Sequence, residues 1–232
     1  MSVQVRGRGL WVTCLGPFAL EAALRPEVDW VGLDLQHGAL TVDDVAPLLR
    51  VSQAAGTPTL VRLPSDDRAV LGRVLDEGPH GVIVPAVESG AQASAVVAGA
   101  LPPPRGSRST GLGRTALGLP GVPTGPLVLV MVETAAGLRA CEEIVATEGL
   151  DGVFVGPYDL ALSLGAGGTT EPEVLAAVRE VLTATRAAGG LTGYFAGDPG
   201  LVALLPEVDL LAVDSDVAAL RAGVAARWEV TR

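Results

Sequence analysis

Eight short apolar runs, each followed by a stretch with helical spacing of apolar residues, dominate this sequence. Hydrophobicity within the runs is continuous rather than alternating, which is typical of parallel strands covered on both faces. The predicted strands are 10–16, 29–35, 58–63, 81–86, 127–133, 152–156, 191–196 and 210–214. The predicted helices lie near 18–24, 42–55, 66–77, 89–99, 135–147, 171–188, 199–205 and 216–228. Eight β/α units predict a single (β/α)8 TIM barrel, with a doubly wound open sheet as the alternative.

The composition shows no linker-like change near the midpoint, so we expect one domain over residues 1–232. The one long irregular segment, 102–126, is rich in Pro, Gly and Arg, and we expect a mobile loop of the kind that often serves function. We find no signal-peptide pattern and no apolar run of the roughly 18 residues that a membrane span needs. Cys14 and Cys141 fit a reduced thiol pair. We therefore expect a cytoplasmic protein.

The charged residues exclude several classes of function. All 16 basic residues are arginines, and the sequence contains no lysine. Mechanisms that form a Schiff base on a lysine amine are therefore excluded, and so are Walker-type phosphate loops. The net charge of −10 argues against a nucleic acid or an anionic membrane as partner.

Strongly polar residues interrupt or follow the apolar strands, always at the carboxyl end of the strand. They are Asp34, Gln36 and His37 after the second strand, Arg62 in the third, Glu133 at the end of the fifth and Asp159 after the sixth. Any one of them alone is equally well explained as a helix cap or a surface turn. Active sites of TIM barrels lie at this end, so the shared position predicts an active site.

The residue types at this end indicate the chemistry. Glu133 and Asp159 are carboxylates without Cys or His at metal-ligand spacing, which favours a hard divalent ion such as Mg²⁺ or Mn²⁺. Arg62 is suited to stabilise a developing oxyanion. His37 is suited to act as a base, because histidine exchanges protons near neutral pH.

Other polar or large residues are interpreted as structural. Asp76, near the end of the helix before strand four, is by default a solvated helix residue. His80, in the turn before strand four, lies at the opposite end of the barrel, where residues serve stability. Met131 and Trp30 are predicted core residues.

Over nearly its whole length the sequence resembles the metal-dependent (class II) pyruvate aldolases typified by hydroxy-oxoheptanedioate aldolase, which are related to the citrate lyase β-subunit. The motifs that carry the resemblance are DWVGLDLQHG, TLVRLP, VLDEGPHGVIVPAVES, PRGSRSTG, MVETAAGL, LDGVFVGPYDLALSLG and VDSD. The resemblance implies a TIM barrel that forms homo-oligomers, trimers or hexamers, by exchanging the last helix between protomers. It also implies reversible cleavage of a 4-hydroxy-2-oxo acid to pyruvate and an aldehyde.

The resemblance assigns a role to each polar strand-end residue. Glu133 and Asp159 would bind the divalent cation, Mg²⁺, Mn²⁺ or Co²⁺, and Arg62 would contact the keto oxygen and stabilise the pyruvate enolate. His37, oriented by Asp76 as a dyad, would move the hydroxyl proton.

A further assignment concerns the turn after the sixth strand. There the backbone amides of Gly156, Pro157, Tyr158 and Asp159 would hold the substrate carboxylate.

Two other functions remain open at this point. A citrate-lyase-like acyl-CoA lyase would need a basic site for the CoA phosphates, for which the sequence offers the arginines of the irregular segment, Arg105, Arg108 and Arg114. A non-catalytic barrel that binds a keto acid is the other alternative. It is motivated by Gln36, where many members of the family carry Glu, and by Met131, where the best-known member has a glutamine.

Overall fold

Eight parallel strands close into a barrel in which every strand pairs with its sequence neighbours and β8 pairs with β1. The computed structural model describes residues 5–123 and 125–230. The strands are β1 Gly7–Val12, β2 Trp30–Asp34, β3 Thr59–Arg62, β4 Gly81–Val84, β5 Leu127–Val132, β6 Gly152–Val155, β7 Leu191–Phe195 and β8 Leu210–Ser215. The predicted TIM barrel is confirmed, and the alternative of an open sheet is wrong.

Helices connect the strands and agree with the predicted ones except at two places. They are α1 Pro17–Ala23, α2 Val42–Ala54, α3 Arg68–Asp76, α4 Gly90–Ala100, α5 Ala135–Arg139, α6 Cys141–Val145, α7 Pro157–Leu164, α8 Pro172–Ala187, α9 Pro199–Leu204 and α10 Asp216–Glu229. The predicted helix 135–147 is two short helices, because Ala140 between them has the non-helical angles φ −94° and ψ 7°. Helix α7 was not predicted, although Pro157 at its start and Gly165 after its end are typical helix signals.

The first strand ends at Val12, whereas the predicted strand covered 10–16. The backbone N–H groups of residues 13–15 donate to the carboxylate of Asp216, at 2.9–3.0 Å, instead of to a neighbouring strand. Burial alone would raise the pKa of Asp216, but these hydrogen bonds and that of the Thr13 hydroxyl hold it below its ordinary value. The carboxylate thereby ties the β1–α1 loop to the start of α10.

Three large aromatic side chains of the barrel interior each lie beside a glycine on an adjacent strand. In the strand register the pairs are Trp30 with Gly9, Trp11 with Gly32 and Phe154 with Gly193. A Cβ atom on any of these glycines would lie 2.3–2.5 Å from the neighbouring ring. The missing side chains therefore provide the volume that the rings occupy, as close packing of a protein interior requires. Trp30 and Met131 are buried core residues, as predicted.

The irregular segment 102–126 lies between α4 and β5, at the end of the barrel where the strands begin. It contains a short 3₁₀ helix, Arg114–Leu117. Arg108 Nη2 donates to Asp76 Oδ1 at 2.6 Å, and Arg114 Nη1 donates to Gln53 Oε1 at 2.6 Å. Within a single chain, this segment therefore packs where the strands begin, whereas the polar residues lie where the strands finish.

His80 lies at the same end as this segment and is buried. Its Nδ1 accepts a hydrogen bond from the Thr59 N–H at 3.1 Å, which confirms the structural role predicted for it. Within the described residues, no helix combines the length and the apolar character needed to cross a membrane.

Candidate active site

The polar residues singled out in the sequence lie at the end of the barrel where the strands finish. Asp34 ends β2 and Arg62 ends β3, and the two are direct neighbours in the strand register. Glu133 directly follows β5, and Asp159 lies in the first turn of α7, after β6. His37 lies in the loop after β2, and its side chain is exposed. The structure therefore gathers at one end the residues that the strand pattern placed there.

A buried ion pair fixes the Arg62 guanidinium. Its Nε and Nη2 donate to the two carboxylate oxygens of Asp34, at 2.8 and 2.6 Å, and the two side chains are 8% and 1% exposed. Trp11 Nε1 donates to the same carboxylate at 3.1 Å, and Arg62 Cζ lies 5.3 Å from the centroid of the Trp11 ring. Because Asp34 engages Nε and Nη2, Nη1 keeps both of its N–H groups to offer to a substrate oxygen.

Asp34 also shapes the loop that carries His37. Its Oδ1 accepts from the backbone N–H groups of Gln36 and His37, at 3.0 and 3.3 Å. One carboxylate thus connects the candidate base to the candidate oxyanion donor.

Glu133 is held by one oxygen only. The Ala86 N–H donates to Glu133 Oε1 at 2.8 Å, whereas Glu133 Oε2 is buried and has no hydrogen-bond partner. Burial raises the pKa of Glu133, the Ala86 hydrogen bond opposes that rise, and the nearby Asp159 carboxylate adds to it. A buried polar oxygen without a partner costs free energy, and a bound cation would remove that cost.

The turn before α7 approaches Glu133 closely. A Cβ atom on Gly156 would lie 2.5 Å from Glu133 Oε2, so only glycine leaves this space open. Pro157 occupies the first position of α7 and has no N–H to donate, so the other residues of this turn would supply its amide contacts. Tyr158 and Asp159 follow in the first helical turn, where N–H groups have no acceptor within the helix. Together with Gly156, which precedes Pro157, they have the N–H groups of this turn that can donate to an anionic ligand.

Glu133 and Asp159 together fit a divalent cation. Both supply carboxylate oxygens, which hard cations prefer, and one of these oxygens is buried without a partner. Across residues 5–123 and 125–230, no group of three or more His, Cys, Asp or Glu side chains is placed to hold a metal ion. A cation at this site would therefore take ligands from two protein carboxylates and fill its remaining positions with water or substrate.

Asp76 does not lie beside His37 within one chain. His37 follows β2, where the strands end, whereas Asp76 ends α3, a few residues before β4 begins. The helices of the barrel run back towards the strand starts, so these two residues lie at opposite ends of the molecule. The carboxylate of Asp76 instead pairs with Arg108. The predicted His37–Asp76 dyad is not formed inside a single protomer.

The arginines considered for CoA phosphates also lie at the far end. Arg105, Arg108 and Arg114 all belong to the segment 102–126, and Arg108 and Arg114 already donate to protein oxygens. Within one chain, these side chains cannot hold a CoA phosphate next to Glu133.

The sequence does not indicate the roles of two residues of the site, Trp11 and Ala86. Trp11 has the character of a core residue, and nothing in its local sequence reveals its contacts with Asp34 and Arg62. Ala86 acts through its backbone N–H, which the residue type does not indicate. For Trp11, its place near the carboxyl end of the first strand was the available signal.

Comparison with known proteins identifies the family. The model of the HpcH/HpaI aldolase/citrate lyase family matches residues 8–202. A hydroxypyruvate/pyruvate aldolase from Rhizorhabdus wittichii is 35% identical over 222 residues, which cover 91% of this chain and 88% of the relative. A 5-keto-4-deoxy-D-glucarate aldolase from Klebsiella pneumoniae is 32% identical over 196 residues, covering 81% and 77%.

The fold comparison agrees with the sequence comparison. The crystal structure of an HpcH/HpaI aldolase/citrate lyase family protein from Burkholderia cenocepacia matches with a TM-score of 0.84 and 33% identity. The match covers 99% of this chain and 96% of that one. The chain therefore belongs to the HpcH/HpaI aldolase/citrate lyase family and is an aldolase, a carbon–carbon lyase.

Proposed function

We propose that this aldolase reversibly cleaves a 4-hydroxy-2-oxo acid to pyruvate and an aldehyde and depends on a divalent cation. The observation that carries the proposal is a buried Glu133 carboxylate of which only one oxygen accepts a hydrogen bond. It lies at the same end of the barrel as Arg62, which Asp34 holds in place. Cleavage next to a keto group leaves negative charge on the keto oxygen, which a cation and a fixed guanidinium are suited to stabilise. Relatives named as hydroxypyruvate/pyruvate and keto-deoxy-glucarate aldolases support a 2-oxo acid substrate.

Glu133 and Asp159 would hold the cation, which we propose to be Mg²⁺, Mn²⁺ or Co²⁺. When bound, the cation would polarise the keto group of the 2-oxo acid as a Lewis acid. Both carboxylates must be ionised to bind it. Because burial raises the pKa of Glu133, cation binding should weaken as the pH falls towards that pKa.

Arg62 would stabilise the enolate. Its Nη1 would donate to the keto oxygen, where charge develops as the carbon–carbon bond breaks. Asp34 orients the guanidinium before the substrate arrives, so little reorganisation is needed during the reaction. The N–H groups of Gly156, Tyr158 and Asp159 would bind the carboxylate of the substrate.

His37 would take the proton of the 4-hydroxyl group in cleavage and return it in condensation. Its proposed partner, Asp76, lies at the other end of the same chain, so the dyad can form only between two copies. We therefore propose a homo-oligomer, a trimer or a hexamer. Helix α10 supports assembly, because Val217, Leu220 and Val224 lie at helical spacing and are 40%, 52% and 55% exposed.

Mixed oligomers test the shared dyad. His37→Ala and Asp76→Asn chains should each be inactive as pure oligomers. When the two are co-expressed, a His37 and an Asp76 from different chains meet at about a quarter of the sites if association is random, and activity should return. A mixed oligomer that stays inactive would show that no dyad forms between copies.

Isotope exchange tests the reaction itself. Pyruvate is incubated with the protein in D₂O, with Mn²⁺ or with EDTA, and deuterium entry into the methyl group is followed by NMR. We expect exchange with Mn²⁺, its loss with EDTA, and aldol products with a panel of aldehydes. Exchange that resists EDTA would refute the metal assignment. Absence of any exchange would refute the proposed pyruvate enolate.

A further inference from the structure

The β4–α4 loop contains a backbone conformation that residues with a side chain rarely adopt. Ala86 has φ +52°, and within the described part of the chain it is the one non-glycine residue with a positive φ. For an L-residue this conformation costs about 1–2 kcal/mol, and it persists where the surroundings hold it. In this conformation the Ala86 N–H meets Glu133 Oε1 at 2.8 Å. The left-handed turn thus holds a proposed metal ligand.

Gln92 holds this turn with a side chain that both donates and accepts. It lies in the first turn of α4, where its own N–H donates to the hydroxyl of the N-cap residue Ser89 at 3.1 Å. Gln92 Oε1 accepts from the Glu88 N–H at 2.9 Å. Gln92 Nε2 donates to the Ala86 carbonyl at 3.4 Å and to Asp66 Oδ2 at 3.0 Å. One amide therefore links two backbone groups of the β4–α4 loop to the β3–α3 loop.

These contacts differ from those of an ordinary helix cap. In a capping box, the side chain at this helical position binds the N–H of the N-cap residue itself. Gln92 reaches past Ser89 to Glu88 and Ala86, which the end of the helix does not require. Glu88 in turn accepts a hydrogen bond from the Thr134 hydroxyl at 2.8 Å, and Thr134 directly follows Glu133. The loop is therefore tied to the end of β5 as well as to α4.

We propose that Gln92 is a positioning residue for Glu133. It stabilises the left-handed turn at Ala86, whose N–H fixes Glu133 Oε1 and leaves Oε2 free for the cation. The inference rests on the proposed function in one respect, which is that a cation is the ligand of Oε2. Glutamine suits the position because its amide both donates and accepts. A glutamate here could accept but not donate, and its negative charge would face the Asp66 carboxylate.

A matched pair of variants tests the inference. Gln92→Met keeps the length of the side chain and removes its three hydrogen bonds. Ser89→Ala removes the ordinary N-cap of the same helix, typically worth about 1 kcal/mol, and leaves the contacts of the Gln92 amide in place. Binding of Mn²⁺ to each purified variant is measured from the electron paramagnetic resonance signal of the free ion.

Residues that orient metal ligands typically contribute 10–100-fold to metal affinity, so we expect the Kd for Mn²⁺ to rise about tenfold in Gln92→Met and by less than about twofold in Ser89→Ala. An unchanged Kd in Gln92→Met would overturn the inference. Equal weakening in both variants would overturn it too, because helix stability would then explain the loss.

Hydrogen exchange at the Ala86 amide, measured by NMR without metal, separates this inference from the metal proposal. We expect faster exchange in Gln92→Met than in the parent protein or in Ser89→Ala, because the hydrogen bond to Glu133 would open more often. If the parent binds no Mn²⁺ and the exchange still rises as expected, the metal assignment is wrong and the positioning of Glu133 stands. Unchanged exchange in Gln92→Met overturns the positioning role, whatever the result with Mn²⁺.

Discussion

Replacing Arg62 with lysine should impair catalysis severely although it preserves the charge. In the parent protein, Nε and Nη2 of Arg62 bind both oxygens of Asp34, and Nη1 is left for the substrate. A lysine ammonium is a single nitrogen without this planar fork. It cannot bind both Asp34 oxygens in the same geometry and also reach the keto oxygen. The variant should therefore lose part of the ion pair, the contact with the substrate, or both.

Two magnitudes follow from these contacts. Removing one oxyanion donor typically lowers kcat by about 10²–10³, which corresponds to roughly 2.7–4 kcal/mol. Losing one hydrogen bond between buried charged groups typically costs about 1.5–3 kcal/mol of unfolding free energy. Weakening the contact between the guanidinium and the Trp11 ring, at 5.3 Å, adds about 1 kcal/mol. We expect kcat to fall at least about 100-fold and stability to fall by about 2.5–4 kcal/mol.

Steady-state cleavage kinetics, methyl-proton exchange of pyruvate and urea unfolding measure these losses. Arg73→Lys is the matched control, because Arg73 is 67% exposed on α3 and lies 4.0 Å from Glu77. Its stability should change by less than about 0.5 kcal/mol and its kcat should stay the same. Both kcat and exchange should fall together in Arg62→Lys, since both reactions pass through the enolate. A higher KM with unchanged kcat and exchange would refute the enolate role and make Arg62 a uniform binding residue.

Three further predictions concern the cation, pH and the barrel interior. Glu133→Gln should remove Mn²⁺ binding in calorimetry without unfolding the protein, and tight binding by this variant would contradict its role as a ligand. Burial lowers the pKa of His80 below 6.5, so the unfolded chain binds more protons, and the unfolding free energy should fall as the pH drops below about 6.5. His80→Asn should flatten this dependence in urea titrations; an unchanged slope would assign it to other groups. Gly32→Ala should cost about 1–3 kcal/mol through its clash with Trp11, whereas Gly72→Ala, in open space on α3, should stabilise by up to about 1 kcal/mol in thermal melts. Equal effects of the two changes would contradict the packing argument.

The sequence predicts the barrel because its eight units carry a repeated local signal. It predicts the end of β1 less well, because that end is decided by Asp216, 203 residues away from Thr13 in the chain. Helix α7 was missed because its eight residues are too short for an apolar face to show a period. Local patterns identify elements, whereas contacts between distant residues decide where those elements stop.

In the candidate site, too, the sequence predicts some residues and not others. Arg62 and Glu133 stand out because a charged residue in an apolar strand is unfavourable unless it is paired or functional. The residues that orient them cannot be recognised in the sequence. Trp11 has the character of a core residue, and the backbone conformation of Ala86 is set by tertiary contacts. The resemblance to the family assigns Asp76 to the site. It does not indicate at which end of the barrel Asp76 lies, or which copy of the chain supplies it to His37.

The pairing of Trp11, Trp30 and Phe154 with glycines has a consequence for how this barrel can vary. Enlarging the glycine alone collides with the ring, and shrinking the ring alone leaves a cavity, so each single step lowers stability. Only a simultaneous exchange of both partners keeps the volume. Trp11, whose ring lies under the Arg62 guanidinium, also belongs to such a pair. In laboratory evolution by single substitutions, Trp11 and Gly32 should therefore stay unchanged. Substitutions that alter substrate preference should arise in the loops at the strand ends.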